Sequence, residues 1–407
     1  MTVAAPPVPS RSGLIGLLAA DGVSRAGNAI TTIAVPLYVL ADTGSAFAAG
    51  LTGVFATVPI VIGGALGGVL VDRFGWRRSG VIADAASGLT VLVIPILAAL
   101  GALPFPLLLA LVFLSNLLDT PGTTARTAQL PDATERAGMP LTRATGAHAT
   151  VSRSATLIGA GLAGALVALI GPANALFANA LCFGISIGLT LLLVPRDVRP
   201  VAAEPEPAGY FSELAAGIRF VVGTPLMRAV VILVVITNMV DAAGLTVLKP
   251  VYARGLGDDG AILGAMLAVF AGGALTGAAV FGAIGHRLPR HGLFVVLFLL
   301  AGVPPYLVLA LDAPLPVVFT VIALSGFAAG PINPLIDTAL FGLVPVPMRA
   351  RVFGAISTGV AAAMPLGSLL AGLGVEHLGL TTALSAAAGV YLLAILSTAF
   401  GRRWRGF

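Results

Sequence analysis

Twelve stretches of this chain are apolar over lengths that a helix needs to cross a bilayer. They lie near residues 13–40, 47–70, 80–100, 104–129, 141–170, 172–194, 226–250, 260–284, 291–311, 314–342, 350–376 and 380–400. A hydrocarbon core about 30 Å thick requires about 20 consecutive apolar residues in a helix. Inside it every backbone N–H and C=O must be paired within the protein, which a helix does by itself. Composition closes the alternative of a soluble fold. Only 10% of the 407 residues are charged and 58% are hydrophobic, too few charges to build a water-facing surface. The expected fold class is all-α integral membrane, with twelve transmembrane helices.

Basic residues set the expected orientation, because cytoplasmic loops collect Arg and Lys. With the N-terminus inside, the inner loops receive Arg73, Arg77, Arg78, Arg136, Arg196, Arg199, Arg219, Arg287, Arg290, Arg349 and Arg351, and the tail adds Arg402, Arg403 and Arg405. The outer loops receive only Lys249 and Arg254. Both termini are therefore expected in the cytoplasm. Residues 1–10, MTVAAPPVPS, lack the basic region and cleavage site of a signal peptide, so the first span is expected to be retained.

The polar segment 195–220 divides the spans six and six. It starts Pro- and Glu-rich, and from Phe211 it turns amphipathic, reading as a short helix at the membrane interface. The expected domains are an N-terminal six-helix bundle over 1–194, a cytoplasmic linker over 195–225 and a C-terminal six-helix bundle over 226–407. The halves also resemble each other. GGALGGVLV (63–71) matches GGALTGAAV (272–280), and GAGLAGALVALIG (159–171) matches GSLLAGLGVEHLG (367–379) at six of thirteen positions. Two matches at equivalent spans, in the same order, point to a duplication. Pairs such as Gly63/Gly67 and Gly64/Gly68 would let helices approach closely.

Several functions are disfavoured by what is missing. The net charge of +5 is scattered among loops and forms no nucleic-acid patch. One cysteine, Cys182, cannot make a disulfide within the chain or a cysteine metal cluster. There is no HExxH, no Walker A loop and no histidine pair at metal-ligand spacing, so neither an enzyme, a metal site nor a cofactor is expected. Direct use of ATP is excluded on the same ground.

Charged residues inside spans are the positive signal, since each costs about 2.5–3.5 kcal/mol at a helix centre and so usually faces water or a partner. Asp21, Arg25, Asn28 and Thr32 form one stripe on span one. Asn116, Asp119, Thr123 and Arg126 do so on span four, and Thr145, His148, Ser152 and Thr156 on span five, with Arg153 adjoining. Span seven has Asn238 and Asp241; span ten has Asn333 and Asp337. Blander readings stand beside these. Asp21 and Arg25 can neutralise each other at i, i+4, Asp119 can hold Arg153 or Arg126, His148 can be a packing histidine, and Asp337 can anchor a span end. Asp241 has no basic residue within one helical turn, and a lone carboxylate in a low-dielectric cavity suits reversible protonation.

The loop GGVLVDRFGWRRSG after span two resembles the signature Gly-x3-Asp-Arg-x-Gly-Arg-Arg of the major facilitator superfamily. The resemblance implies a conformational latch made of Asp72, Arg73, Gly75, Arg77 and Arg78, with Asp72 set against a helix N-terminus and paired with Arg77. Asp84 is expected to support it. The competing reading is a cluster serving only the positive-inside rule. SRAGNAITTIAVPLYVLADTGSAFAAG (24–50), ARTAQLPD (125–132), ANALCFGIS (178–186) and FSELAAGIRFVVGTPLMR (211–228) resemble the macrolide-efflux and enterobactin-exporter branch, while the second half matches mainly through GPINPLIDTALFGLVP (330–345). In that fold spans one, four, seven and ten line a cavity, and these carry the polar stripes. Where that branch has Gly-Pro in span five, this chain has Gly159-Ala160.

The resulting expectation is a secondary active transporter of the bacterial cell membrane, exporting amphipathic small molecules against protons, as a monomer without nucleic-acid partners. Asp21, Asp119 and Asp241 are the proton-coupling candidates. Arg25, Asn28, Asn116, Arg153, Asn238, Asn333 and Asp337 are the candidates for the substrate cavity, with Phe47, Phe55, Phe113, Met239, Phe270 and Phe327 as possible walls. Import or facilitated passage of one specific metabolite is the alternative. A receptor or scaffold is disfavoured, because it would not need charges inside its spans.

Overall fold

The computed structural model describes residues 11–195, 210–257, 260–284, 290–345 and 348–400. Every regular element among them is helical. The first six are α1 (Ser12–Thr43), α2 (Ala46–Phe74), α3 (Trp76–Ala99), α4 (Phe105–Arg136), α5 (Leu141–Ile170) and α6 (Pro172–Leu193). After α7 (Tyr210–Gly223) come α8 (Pro225–Ala243), a π-helical turn (Gly244–Leu248) and α9 (Lys249–Gly255). The remainder are α10 (Ala261–Ile284), α11 (Arg290–Ala310), α12 (Leu315–Ala329), α13 (Ile332–Leu343), α14 (Arg349–Leu378) and α15 (Leu380–Phe400).

Among the described residues ten helical segments are long and apolar enough to cross a membrane. One of them runs through α8, the π turn and α9 as Pro225–Gly255, and another crosses from α12 into α13 as Leu315–Ile336. With α1, which carries charges, and α2 they make twelve spans. The lipid-facing surface is recognisable from its chemistry. Leu192 is 84% exposed and Leu169 80%, which water would penalise and acyl chains would not. The interfacial helix expected from Phe211 is α7, which packs on α8 and α14.

Chain chemistry explains the helix ends. α6 and α8 open on Pro172 and Pro225 at the first helical position, where the missing N–H is not needed. Gly75 separates α2 from α3 at φ 81°, a left-handed conformation that side chains resist. Gly171 ends α5 and starts α6 at φ 84°, ψ 161°; Gly379 does the same between α14 and α15 at φ 82°, ψ 162°. These two glycines are the last residues of the matched sequences 159–171 and 367–379. The first residues match as well. A Cβ on Gly159 would collide with the backbone of Ala26 in α1, and one on Gly367 with the backbone of Met239 in α8. The repeated sequence thus codes a repeated packing: span five against span one, span eleven against span seven.

By packing, the helices form two units: Met1–Ala34 with Pro59–Pro205, and Val35–Val58 with Glu206–Phe407. In the first, α3 packs on α4 and α6. In the second, α8 packs on α14, α11 on α12 and α15, and α10 on α12. The segment 35–58 joins the second unit because the start of α2 lies on α14. Gly50 and Gly53 face Ser368, and Glu376 Oε2 accepts from the Ser45 hydroxyl (3.3 Å) and the Phe47 N–H (3.4 Å). That carboxylate satisfies a donor that the first turn of a helix leaves unpaired.

Candidate functional site

In the first unit the polar residues converge on Arg126. This guanidinium is 5% exposed. Its Nη1 donates to both oxygens of Asp84, at 2.8 and 3.0 Å, and its Nη2 to the Ser24 hydroxyl at 3.2 Å. Its Nε lies 3.5 Å from Asp21 Oδ1, and Nη2 lies 3.9 Å from Asp119 Oδ1. Asp21 is buried in turn: its Oδ2 accepts from Arg25 Nε (2.7 Å) and the Ser152 hydroxyl (3.0 Å), and lies 3.2 Å from His148 Nε2. Asn28 Nδ2 donates to Asp119 Oδ2 at 2.9 Å, and the Ser186 hydroxyl donates to Asp84 Oδ2 at 2.6 Å. Residues from α1, α3, α4, α5 and α6 therefore share one network. Of the stripe read from span one, Asp21, Arg25 and Asn28 point into it, joined by Ser24, while the Thr32 hydroxyl donates to the carbonyl of Asn28.

The arrangement assigns places to the expected residues. Asp21, Arg25, Asn28 and Asp119 are brought together. Asn116 instead donates to the carbonyl of Val112 in its own helix, and Arg153 is exposed. Asp84, expected beside the loop after span two, is fully buried on Arg126 and Ser186. Asp84 is the ligand of Arg126 that sequence reasoning missed, since the pair is 42 residues apart. Arg77 donates to the carbonyls of Thr190 (3.4 Å) and Leu191 (2.7 Å) at the end of α6, where a helix leaves acceptors unpaired and favours a cation. Arg78 is exposed. Asp72 and Arg73, expected in a loop, belong to the last turn of α2, with Gly75 alone between it and α3; their side chains, and that of Asp337, lie outside the described residues.

In the second unit Lys249, expected in an outer loop, lies in the continuous helical segment Pro225–Gly255, near its C-terminal end. The π turn makes this possible: the Lys249 N–H bonds to the carbonyl of Gly244, five residues back. The extra residue re-aims the following side chains, and Lys249 Nζ lies 5.7 Å from the ring centre of Phe270 and 6.0 Å from that of Tyr306. Both distances are within cation–π range. Tyr306 on α11 is buried and its hydroxyl donates to the carbonyl of Val240 at 3.0 Å. Asp241, the next residue, is exposed on α8 and has Lys249 and Tyr306 as its electrostatic neighbours. It is not the lone carboxylate that its own helical turn suggested. Asn238 donates to the carbonyl of Val234, and Asn333 is exposed. Among the described residues no cluster of His, Cys, Asp or Glu is built to hold a metal.

A twelve-span helical protein with two polar clusters inside its membrane segments is a transporter of the major facilitator fold. Solved structures share that fold. The chain superposes on the nucleoside transporter NupG with a TM-score of 0.73 at 14% identity, covering 95% of this chain and 98% of that one. It superposes on a bacterial homologue of the iron transporter ferroportin, in an inward-facing state, with a TM-score of 0.70 at 16% identity, covering 95% and 98%. The chain belongs to the family described as Transmembrane secretion effector, which matches residues 10–403. Relatives at higher identity are the multidrug efflux pump Tap of Mycolicibacterium fortuitum, 31% identical over 369 residues and 89% of each chain, and the enterobactin exporter EntS of Salmonella typhimurium, 31% identical over 290 residues, 70% of this chain and 66% of that one.

Proposed function

We propose that this transporter exports amphipathic small molecules across the bacterial cytoplasmic membrane in exchange for protons, by alternating access. The single observation that carries the reading is the network around Arg126, in a chain whose relatives are an efflux pump and an exporter. Its charges do not cancel. Asp21, Asp84 and Asp119 face Arg25 and Arg126, three carboxylates against two guanidiniums, with His148 as the remaining titratable member. A net buried charge is costly unless compensated. One proton on the network neutralises it, which is the property a coupling site needs. Asp119 is the proposed seat: like Asp21 it has one oxygen without a hydrogen-bond donor, but its other oxygen is held by the neutral amide of Asn28, whereas Asp21 and Asp84 accept from guanidinium groups.

Asp21 and Asp241 are proposed as further proton-coupling residues. Arg25, Asn28, Asn116, Arg153, Asn238, Asn333 and Asp337 are proposed to contact substrate. Asp72, Arg73, Gly75, Arg77 and Arg78 are proposed as a conformational latch, backed by Asp84. The six-plus-six division of the chain around the 195–225 linker, cytoplasmic termini and a monomeric state belong to the same reading. Proteoliposomes loaded with a panel of labelled drugs test it. Efflux should require a proton gradient, and Asp119→Asn should abolish gradient-driven accumulation while preserving exchange. Accumulation by Asp119→Asn at the wild-type level would remove Asp119 from coupling. Indifference of the wild type to the gradient would remove protons altogether.

A further inference from the structure

Lys249 is the only lysine in the chain; the other 21 basic residues are arginine. It lies in the helical segment Pro225–Gly255, with its ammonium near the rings of Phe270 and Tyr306. A positive charge held within a membrane segment is expensive and usually marks a binding or transport site. Two features show that the position is built. First, the π turn that sets it is an irregularity that recurs at functional sites in helices. Second, the turn packs tightly on the tyrosine: a Cβ on Gly244 would collide with the Tyr306 hydroxyl, so only glycine lets the turn approach. Pro250 follows, and its missing N–H cannot extend ordinary helix pairing backwards across the turn.

We infer that Lys249 is a substrate-recognition residue, and that its ε-ammonium takes an acidic group, carboxylate or phenolate, of an aromatic substrate. The inference rests on the export reading and names a substrate class for it. An aromatic acid fits because Phe270 and Tyr306 offer ring faces beside the ammonium, and an ammonium bonds a compact anion strongly. Asp241 supplies the counter-charge while the site is empty. When an acidic group arrives, it takes over that role and leaves Asp241 to be neutralised by a proton. Substrate binding and proton uptake are thereby tied in one unit, with no bond made or broken.

The single lysine gives a test independent of transport. In full-length protein in lipid nanodiscs, an amine reagent such as trinitrobenzenesulfonate should modify Lys249, resolved from the N-terminal amine by peptide mass spectrometry. Salicylate should slow that modification at least fivefold relative to salicylamide, which has the same ring without the carboxylate. In proteoliposomes, the ratio of export of salicylate to salicylamide should fall at least tenfold in Lys249→Gln and recover within threefold of wild type in Lys249→Arg. Equal protection by acid and amide would overturn the inference, as would an export ratio unchanged in Lys249→Gln. If no compound of a wider panel is exported by wild type, the export reading itself fails, whereas acid-selective protection would still report the site.

Discussion

Arg126 and Arg25 both serve Asp21, but removing them should have different consequences. Arg126 is 5% exposed and reaches Asp84, Asp21 and Asp119, so Arg126→Ala strands carboxylates without water. Breaking such a buried pair costs about 3–5 kcal/mol. We expect Arg126→Ala to be poorly recovered after solubilisation and to melt far below wild type. The Arg25 side chain is 31% exposed, and Asp21 keeps Ser152 and Arg126 as neighbours without it. Partly solvated pairs are worth about 1 kcal/mol or less. Arg25→Ala should therefore fold and melt within a few degrees of wild type. Size-exclusion recovery and fluorescence-detected melting check both; a milder loss for Arg126→Ala than for Arg25→Ala would mean the network is not the scaffold of this unit.

At the scale of elements, two glycines one turn apart or less give a controlled comparison. Gly159 lies against the Ala26 backbone, whereas Gly161 on the same helix faces open space. Overpacking a close helix contact costs about 1–3 kcal/mol. Gly159→Val should lower the melting temperature clearly and Gly161→Val should not, measured in the same detergent. The π turn offers a second test. Inserting one alanine after Leu248, past the turn, should rotate Lys249 and all that follows by roughly 100°. Lys249 would then leave Phe270 and Tyr306. The expected result is a membrane-inserted protein that has lost its acid-over-amide export ratio. An insertion variant exporting like wild type would show the aim of Lys249 to be irrelevant to transport.

The whole molecule raises the question of orientation, which the distribution of arginines predicts. In a Cys182→Ser background, single cysteines placed in 195–210 and 401–407 should react with impermeant thiol reagents only from the cytoplasm. Cysteines in 41–45 should react only from outside. Reaction from the wrong face at two of these regions would overturn the twelve-span topology with cytoplasmic termini.

What the sequence determined by itself was everything encoded by local periodicity. Span lengths follow from runs of apolar residues, and the polar stripe of α1 follows from helical spacing. The duplicated strings reappear as duplicated backbone at Gly171 and Gly379, because a left-handed junction and a close approach both select glycine locally. The pairings were not legible. Asp84 finds Arg126 from 42 residues away, and nothing near either residue distinguishes that partner from Asp119 or a loop arginine. The surroundings of Lys249 were hidden for a related reason. A π turn adds one residue to a helix without changing composition, so a regular helix and a re-aimed one are the same string. Only the packing of α11 and α10 against that turn, through Tyr306 and Phe270, decides between them. Local chemistry fixed the elements; which charges meet inside them was decided by helices brought together across the fold.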